Sequence, residues 1–169
     1  MSRRTRQLLD AWSRRVAFVV DRNLDVLDAT ALGRRVLGEF GEPGTNELIA
    51  TFRHAAEATE DRERWYAVAS YFASALRYYG DPEDPRYEEI RAALRADPEF
   101  ERIWGRHDAG PLSQQIPRPR LLLEGVGWLE FDYEVFEVPR VPGQAIIVLW
   151  FDADTGDDLI IERLADTLT

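Results

Sequence analysis

His107-Asp108 is the one place in this chain where a histidine and a carboxylate stand side by side. As chemistry, the pair would make His107 a general base oriented by Asp108. Two features weigh against that. Neighbours in sequence rarely point at each other on a helix, and no Ser or Cys nucleophile stands in a recognisable motif. Two other readings stay open. His107 ends a helix, where a protonatable ring meets the negative end of the dipole, or Arg106 or His107 donates to the carboxylate of a bound ligand. No catalytic residue is assigned, and the expectation is a protein that is not an enzyme.

Metal and nucleotide chemistry are no better supported. The only other histidine, His54, is far off in sequence, and no His-x-x-x-His spacing or acidic metal loop occurs. Asp152, Asp154, Asp157 and Asp158 form an acidic run that lacks the glycine and closing glutamate of an EF-hand. A turn followed by a helix start accounts for it. Gly41-Glu42-Pro43-Gly44 is a turn, and no Walker or dinucleotide-binding motif is present. There are no cysteines, which excludes disulfides, thiolate catalysis and Cys-bound metal and fits a reducing compartment. Neither a metal nor a cofactor is expected.

Apolar surface is what the chain offers instead. Trp65, Val68, Ala69, Phe72, Leu76 and Tyr79 follow the i, i+3, i+4, i+7 rule over several turns, flanked by Tyr66, Tyr71 and Tyr78. A helix this aromatic fills a core or lines a cavity. It needs a sheet to face. In GWLEFDYEVFEVPRVPGQAIIVLWF, Leu129, Phe131, Tyr133 and Val135 alternate with Glu130, Asp132 and Glu134, the period of a half-buried strand. Pro139 to Gly143 supplies turn chemistry. Ala145 to Phe151 is apolar on both faces, as a covered central strand would be. The parity of that last strand is not fixed by its pattern. Ile147 and Leu149 are assigned to the helix side, with Phe131 and Tyr133.

Other elements position these two. Residues 2 to 15 are basic and helical in pattern, with Leu8, Leu9 and Trp12 on one face, as a domain-edge or dimerisation helix. Ala17 to Val20 and Leu24 to Leu27 make a hairpin around Asp21-Arg22-Asn23. Thr30 caps a helix closed by Gly38 and Gly41, and Thr45 or Asn46 caps the next, which carries Leu48, Ile49 and Phe52. Asp84-Pro85 and Asp97-Pro98 are twin helix starts. The first of these helices buries Tyr87, Ile90 and Leu94, and the second Phe100, Ile103 and Trp104. Leu121 to Leu123 is a strand turned by Glu124-Gly125-Val126-Gly127. Thr155 with Asp158 resembles a capping box before a closing amphipathic helix. Two strands, a helical block and three strands describe a single α+β domain over residues 1–169, an antiparallel sheet with helices on one face in the order of PAS-like domains.

Composition sets the remaining bounds. At 169 residues and 45% hydrophobic content the chain can bury a real core. No apolar run is long enough to span a bilayer and no signal-peptide core is present, so no membrane association and a cytoplasmic location are expected. The net charge of −10 works against nucleic-acid binding. All 21 basic residues are arginine, which fits the coding bias of a GC-rich bacterial genome.

Three segments carry a more specific likeness. VVDRNLDVLDATALGRRVLGEF resembles the opening hairpin and helix of the ligand-binding domain of MmyB-like transcription regulators. DPEFERIWGRHDA is similar to that family's helix ending in Trp-x-Arg-His-Asp, here Trp104, Arg106, His107 and Asp108. Leu129-Glu130-Phe131-Asp132-Tyr133-Glu134 resembles its Leu-x-Leu-Asp-Tyr-Glu strand. Two departures stand out: Asp28-Ala29 replaces the family's Trp-Asn, and Glu124-Gly125-Val126-Gly127 stands where His-Pro precedes a glycine. The resemblance implies a sensory domain that binds a fatty-acid-like molecule and that, in the family, follows a DNA-binding helix-turn-helix domain. No such domain is expected within this chain, and so no nucleic acid bound by it.

A fatty acyl chain gains about 0.8 kcal/mol per buried CH₂ and needs an apolar tunnel with one polar anchor. Trp65, Phe72 and Leu76 on the long helix, with Phe131, Tyr133, Ile147 and Leu149 on the strands, would build its walls, and Trp104 would close one end. The same residues could instead fill the core completely. Three readings follow: a ligand sensor, an interaction module that forms a homodimer or binds a partner through the basic N-terminal helix or an exposed aromatic patch, and an enzyme for small apolar substrates. The first is preferred.

Overall fold

The computed structural model describes residues 1–56, 61–114, 116, 119–138 and 141–168. Val16–Val20 (β1) and Val26–Ala29 (β2) pair antiparallel. The turn between them is built by Asp21, whose carboxylate accepts from the backbone N–H groups of Asn23 and Asp25 at 2.8 and 3.0 Å. That turn forces Leu24 to φ 66, a left-handed conformation that side chains with a Cβ rarely adopt.

The helical block follows in the expected order. Thr30 caps α2 (Ala31–Leu37), its hydroxyl accepting from the Gly33 N–H at 2.9 Å. Asn46 caps α3 (Glu47–Arg53) and Asp61 caps α4 (Arg62–Tyr79). The twin Asp-Pro signals open α5 (Pro85–Leu94) and α6 (Pro98–Trp104), with the Asp84 and Asp97 carboxylates accepting first-turn N–H groups. Arg120–Leu123 (β3), Gly127–Glu137 (β4), Ala145–Phe151 (β5) and Asp157–Asp166 (α7) complete the chain after the short N-terminal helix α1 (Arg3–Asp10).

The five strands form one antiparallel sheet in the order β2-β1-β5-β4-β3. The first and last strands are therefore central neighbours, with Val16 opposite Leu149 and Val20 opposite Ala145. This is the α+β, PAS-like arrangement with the helical block inserted between β2 and β3. Both faces of β1 and β5 are covered, which is why their sequences lack alternation. On one face Phe18, Leu129, Tyr133, Ile147 and Leu149 join the helical residues Leu48, Phe52, Leu76, Ile90 and Phe100 in one core. On the other, Ala17, Val19, Ile146 and Val148 are covered by Leu9 of α1, with Trp12 packed beside them.

The N-terminal helix thus has an intramolecular partner. It is also shorter than its pattern suggested, because the chain after Asp10 goes into tight turns, with Trp12 N–H donating to the Leu9 carbonyl. Thr155 does not cap α7. Its hydroxyl donates to the Asp152 carbonyl, and Gly156 at φ 80 occupies the cap position. The carbonyl of Asp152 accepts from the N–H of Asp157 and Asp158, so Asp152 builds the turn that Thr155 was expected to build. In the β4–β5 connection, Pro139 and Arg140 lie outside the described residues. The remainder turns through Gly143 at φ 77.

Candidate ligand-binding site

Three tyrosines draw a polar seam through the layer between helix and sheet. Tyr71 of α4 donates to the Leu112 carbonyl at 2.5 Å. Tyr133 of β4 donates to the Gln114 carbonyl at 2.6 Å and accepts from the Ile116 N–H at 3.0 Å. Tyr79, two turns beyond Tyr71, donates to Glu137 at 2.7 Å and accepts from the Leu112 N–H at 3.3 Å. The rings of Tyr71 and Tyr133 meet edge to face, 6.1 Å apart. Leu112, Gln114 and Ile116 are thus tied to α4 and β4 by phenol hydroxyls.

None of the three ionises near neutral pH. Burial pushes Tyr71 far above the ordinary phenol range, and the neighbouring Tyr133, Tyr79 and Glu47 push it further. Burial and the hydrogen bond to Glu137 push Tyr79 up to about 12. Burial raises Tyr133 too, opposed by the neighbouring Tyr71 hydroxyl and by the hydrogen bond from the Ile116 N–H, which favour its ionised form. Groups that keep their protons act as hydrogen-bond donors and not as nucleophiles. Tyr133→Phe removes one donor and one acceptor from part-buried backbone hydrogen bonds. It is expected to cost about 1–3 kcal/mol and to speed amide hydrogen exchange at Gln114 and Ile116. Unchanged exchange there would show that the hydroxyl does not hold this segment.

Glu47, which the sequence reading passed over, reaches the same layer. It is the first residue of α3 and only 2% exposed. Its backbone is bolted to the β1–β2 hairpin: its N–H donates to the Leu24 carbonyl at 3.0 Å, and the adjacent Asn46 side chain donates to Asn23 O and Asp25 Oδ1. Its carboxyl oxygen Oε1 is buried and meets no hydrogen-bond partner. Burial alone drives its pKa well above the ordinary glutamate range, which favours the protonated form. It lies close enough to Tyr71 to act on that hydroxyl electrostatically.

The expected wall residues fall into two groups. Trp65, Leu76, Tyr133, Ile147 and Leu149 are buried members of the one core cluster. Phe72, Trp104 and Phe131 are half-buried against its edge. Trp65 donates its ring N–H to the Thr51 carbonyl at 2.9 Å. Trp104 stacks on Phe100, and the Arg77 guanidinium lies over the Trp104 ring, 3.9 Å from its centroid.

Arg106 and His107 stand apart from that layer. Both are exposed, with Arg106 paired to Asp108 at 2.9 Å and His107 at φ 60 just beyond the end of α6. The helix end is capped from α4, where Arg77 donates to the carbonyls of Trp104 and Asp108 at 2.7 and 3.0 Å. His54 pairs with Glu39 at 2.8 Å on another part of the surface. Among the described residues no group of three His, Asp or Glu side chains converges as a metal ion would require, and no helix is long and apolar enough to cross a membrane.

A separate surface groove of about 320 Å³ opens between α1, α2 and α7. Its floor includes Asp28, held by Arg6 at 2.6 Å and by Arg34. None of the expected wall residues lines it.

A family model described as the MmyB-like transcription regulator ligand binding domain matches residues 1–164. No curated protein matches the chain.

Proposed function

Since the chain belongs to the family of MmyB-like transcription regulator ligand binding domains, we propose that it senses a fatty-acid-like apolar small molecule held between the sheet and the helical block. Membership makes it a ligand-binding domain of a transcription-regulator type. The finer reading rests on one observation: the wall residues Trp65, Leu76, Tyr133, Ile147 and Leu149 belong to one apolar cluster that spans α4, β4 and β5, with Phe72, Trp104 and Phe131 along its margin. An acyl chain entering that layer would exchange water for aromatic and aliphatic contacts along its length. Because the cluster joins elements from both ends of the chain, a ligand that binds one packing of it better than another shifts the whole domain toward that packing. The resulting difference is what a partner or an attached DNA-binding domain would read. A cytoplasmic setting and a bacterial source go with this reading.

Native mass spectrometry of the purified protein, followed by organic extraction, tests it. A bound species of fatty-acid mass is expected. Medium- and long-chain fatty acids at about a hundred times their Kd should raise Tm by roughly 5–10 °C. A clean apo mass together with no thermal shift would overturn it.

One observation favours a second reading, an interaction module. Leu122 and Trp128 are paired across β3 and β4 on the outward face and are 62% and 49% exposed, with Val126 at the turn beside them. Such a patch suits a protein partner or a second copy of the chain.

A further inference from the structure

The sheet face away from the helical block is covered over β1 and β5, where Leu9 and Trp12 lie on Ala17, Val19, Ile146 and Val148. On β4 the same face is bare. Phe136 stands opposite Ile146, Glu134 opposite Val148 and Asp132 opposite Trp150, and alternation adds Glu130 and Trp128. All five are exposed, as is Leu122, opposite Trp128 on β3. The face is thus a ridge, α1, beside a valley, β3–β4. Trp12 stacks on Phe136 where the two meet.

The valley floor is charged and uncompensated. Glu130, Asp132 and Glu134 stand about 7 Å apart in one row. Their β5 neighbours are apolar, and Arg120, opposite Glu130, is spent on Asp61 and on the Trp128 ring. Like charges in a row repel unless a cation lies against them. The ridge carries the opposite sign, with Arg3 and Arg4 at its start and Leu8, 44% exposed, one turn after Arg4. Among the described residues neither these two arginines nor the three acids make an ion pair. The lengths match: α1 is about 12 Å long, and the row from Glu130 to Glu134 about 14 Å.

We propose that a second copy of this chain docks on this face, the α1 ridge of each copy lying in the β3–β4 valley of the other about a two-fold axis. Arg3 and Arg4 of one copy meet Glu130, Asp132 and Glu134 of the other, and Leu8 meets the exposed aromatic rings at the ends of the row. The occupant is a second copy because one face carries both halves of the contact, a cationic ridge and an anionic valley of matching length, as a two-fold interface requires. The apolar ends supply affinity, and the charges set register and partner choice. The proposal rests on the interaction reading of the Leu122–Trp128 patch, gives it an occupant, and is independent of the sensor reading.

Each copy carries a net charge of −10, which opposes association of any kind at low salt, so a charge swap and not a salt series is the test. Sedimentation velocity measures dimerisation of the full chain as wild type, as Arg3→Glu/Arg4→Glu, as Glu130→Arg/Glu134→Arg, and as an equal mixture of the two variants. Wild type should dimerise, and each variant alone should weaken the dimer by about tenfold or more, since each then sets like charges against each other. The mixture should recover a heterodimer, because both of its contacts again pair opposite charges. If the arginine variant does not fold, Glu130→Gln/Glu134→Gln takes its place and should weaken the dimer without rescue. A wild type that stays monomeric up to about 1 mM would overturn the proposal. A dimer that survives both charge reversals but is lost in Trp128→Ser would overturn the ridge-in-valley contact and leave the interaction reading of the patch standing. A dimer that survives all three changes would remove both.

Discussion

Glu47→Gln is expected to flatten a fall in stability that the wild-type protein shows as pH rises from about 4.5 toward neutrality. Burial raises the folded-state pKa of Glu47 above its ordinary value of 4.5, which the unfolded chain keeps. Below that value both states hold the proton and the contribution is fully present. Above it the unfolded chain releases the proton while the folded chain retains it, and stability drops by up to about 1.4 kcal/mol per pH unit. The loss continues until pH passes the folded-state pKa. Glutamine has no proton to keep, so as pH rises above about 4.5 the wild type should lose stability relative to the variant. Other acids titrate in the same window. Burial raises Asp21, and the hydrogen bond from Asn23 lowers Asp84. Both are common to the two proteins and cancel in the difference. Urea unfolding across a pH series measures it, and parallel curves for wild type and variant would show that burial does not favour the protonated form of Glu47.

How far such features could be read in advance depended on what each element touches. β4 alternates because one of its faces is wet: Glu130, Asp132 and Glu134 point outward, and Leu129 and Tyr133 are buried. Its parity was therefore visible. β5 is covered on both sides, so its letters carry no parity, and only the pairing with β1 and β4 separates Ile147 and Leu149 from Ile146 and Val148. The caps were visible because Thr30, Asn46, Asp84 and Asp97 satisfy backbone donors two or three residues on, which is local chemistry. Glu47 was not visible, for the same reason as β5. A seven-residue helix buried at Glu47, Leu48, Ala50, Thr51 and Phe52 has no wet face from which a buried charge could be told, and a glutamate in a first turn ordinarily signals solvent. The tyrosine seam escaped for a different reason. Tyr71 and Tyr133 reach backbone carbonyls far along the chain, and no spacing rule encodes such partners.

Leu76→Ala decides between a filled core and a ligand space at the one wall position where the two differ most. Leu76 is fully buried on α4, one turn beyond Phe72 and close to the turn at Gly80, whose N–H caps the Leu76 carbonyl at 2.8 Å. In a filled core the truncation removes three carbons' worth of burial and also leaves a cavity that rigid neighbours do not close. The cost is then about 3–5 kcal/mol, a fall in Tm on the order of 10 °C. Beside an existing ligand space no new cavity is created, and only the transfer term of about 2 kcal/mol is lost. The space also lengthens, so the preferred acyl chain should grow by one or two carbons. The sensor reading predicts this smaller cost and longer optimum. Chain-length profiles measured by thermal shift on both proteins, beside urea unfolding of each, give both quantities at once. The full cavity cost with an unchanged chain-length optimum would mean that Leu76 is packing and not wall, and the ligand space would then have to lie toward the half-buried margin at Phe72 and Phe131, away from Leu76.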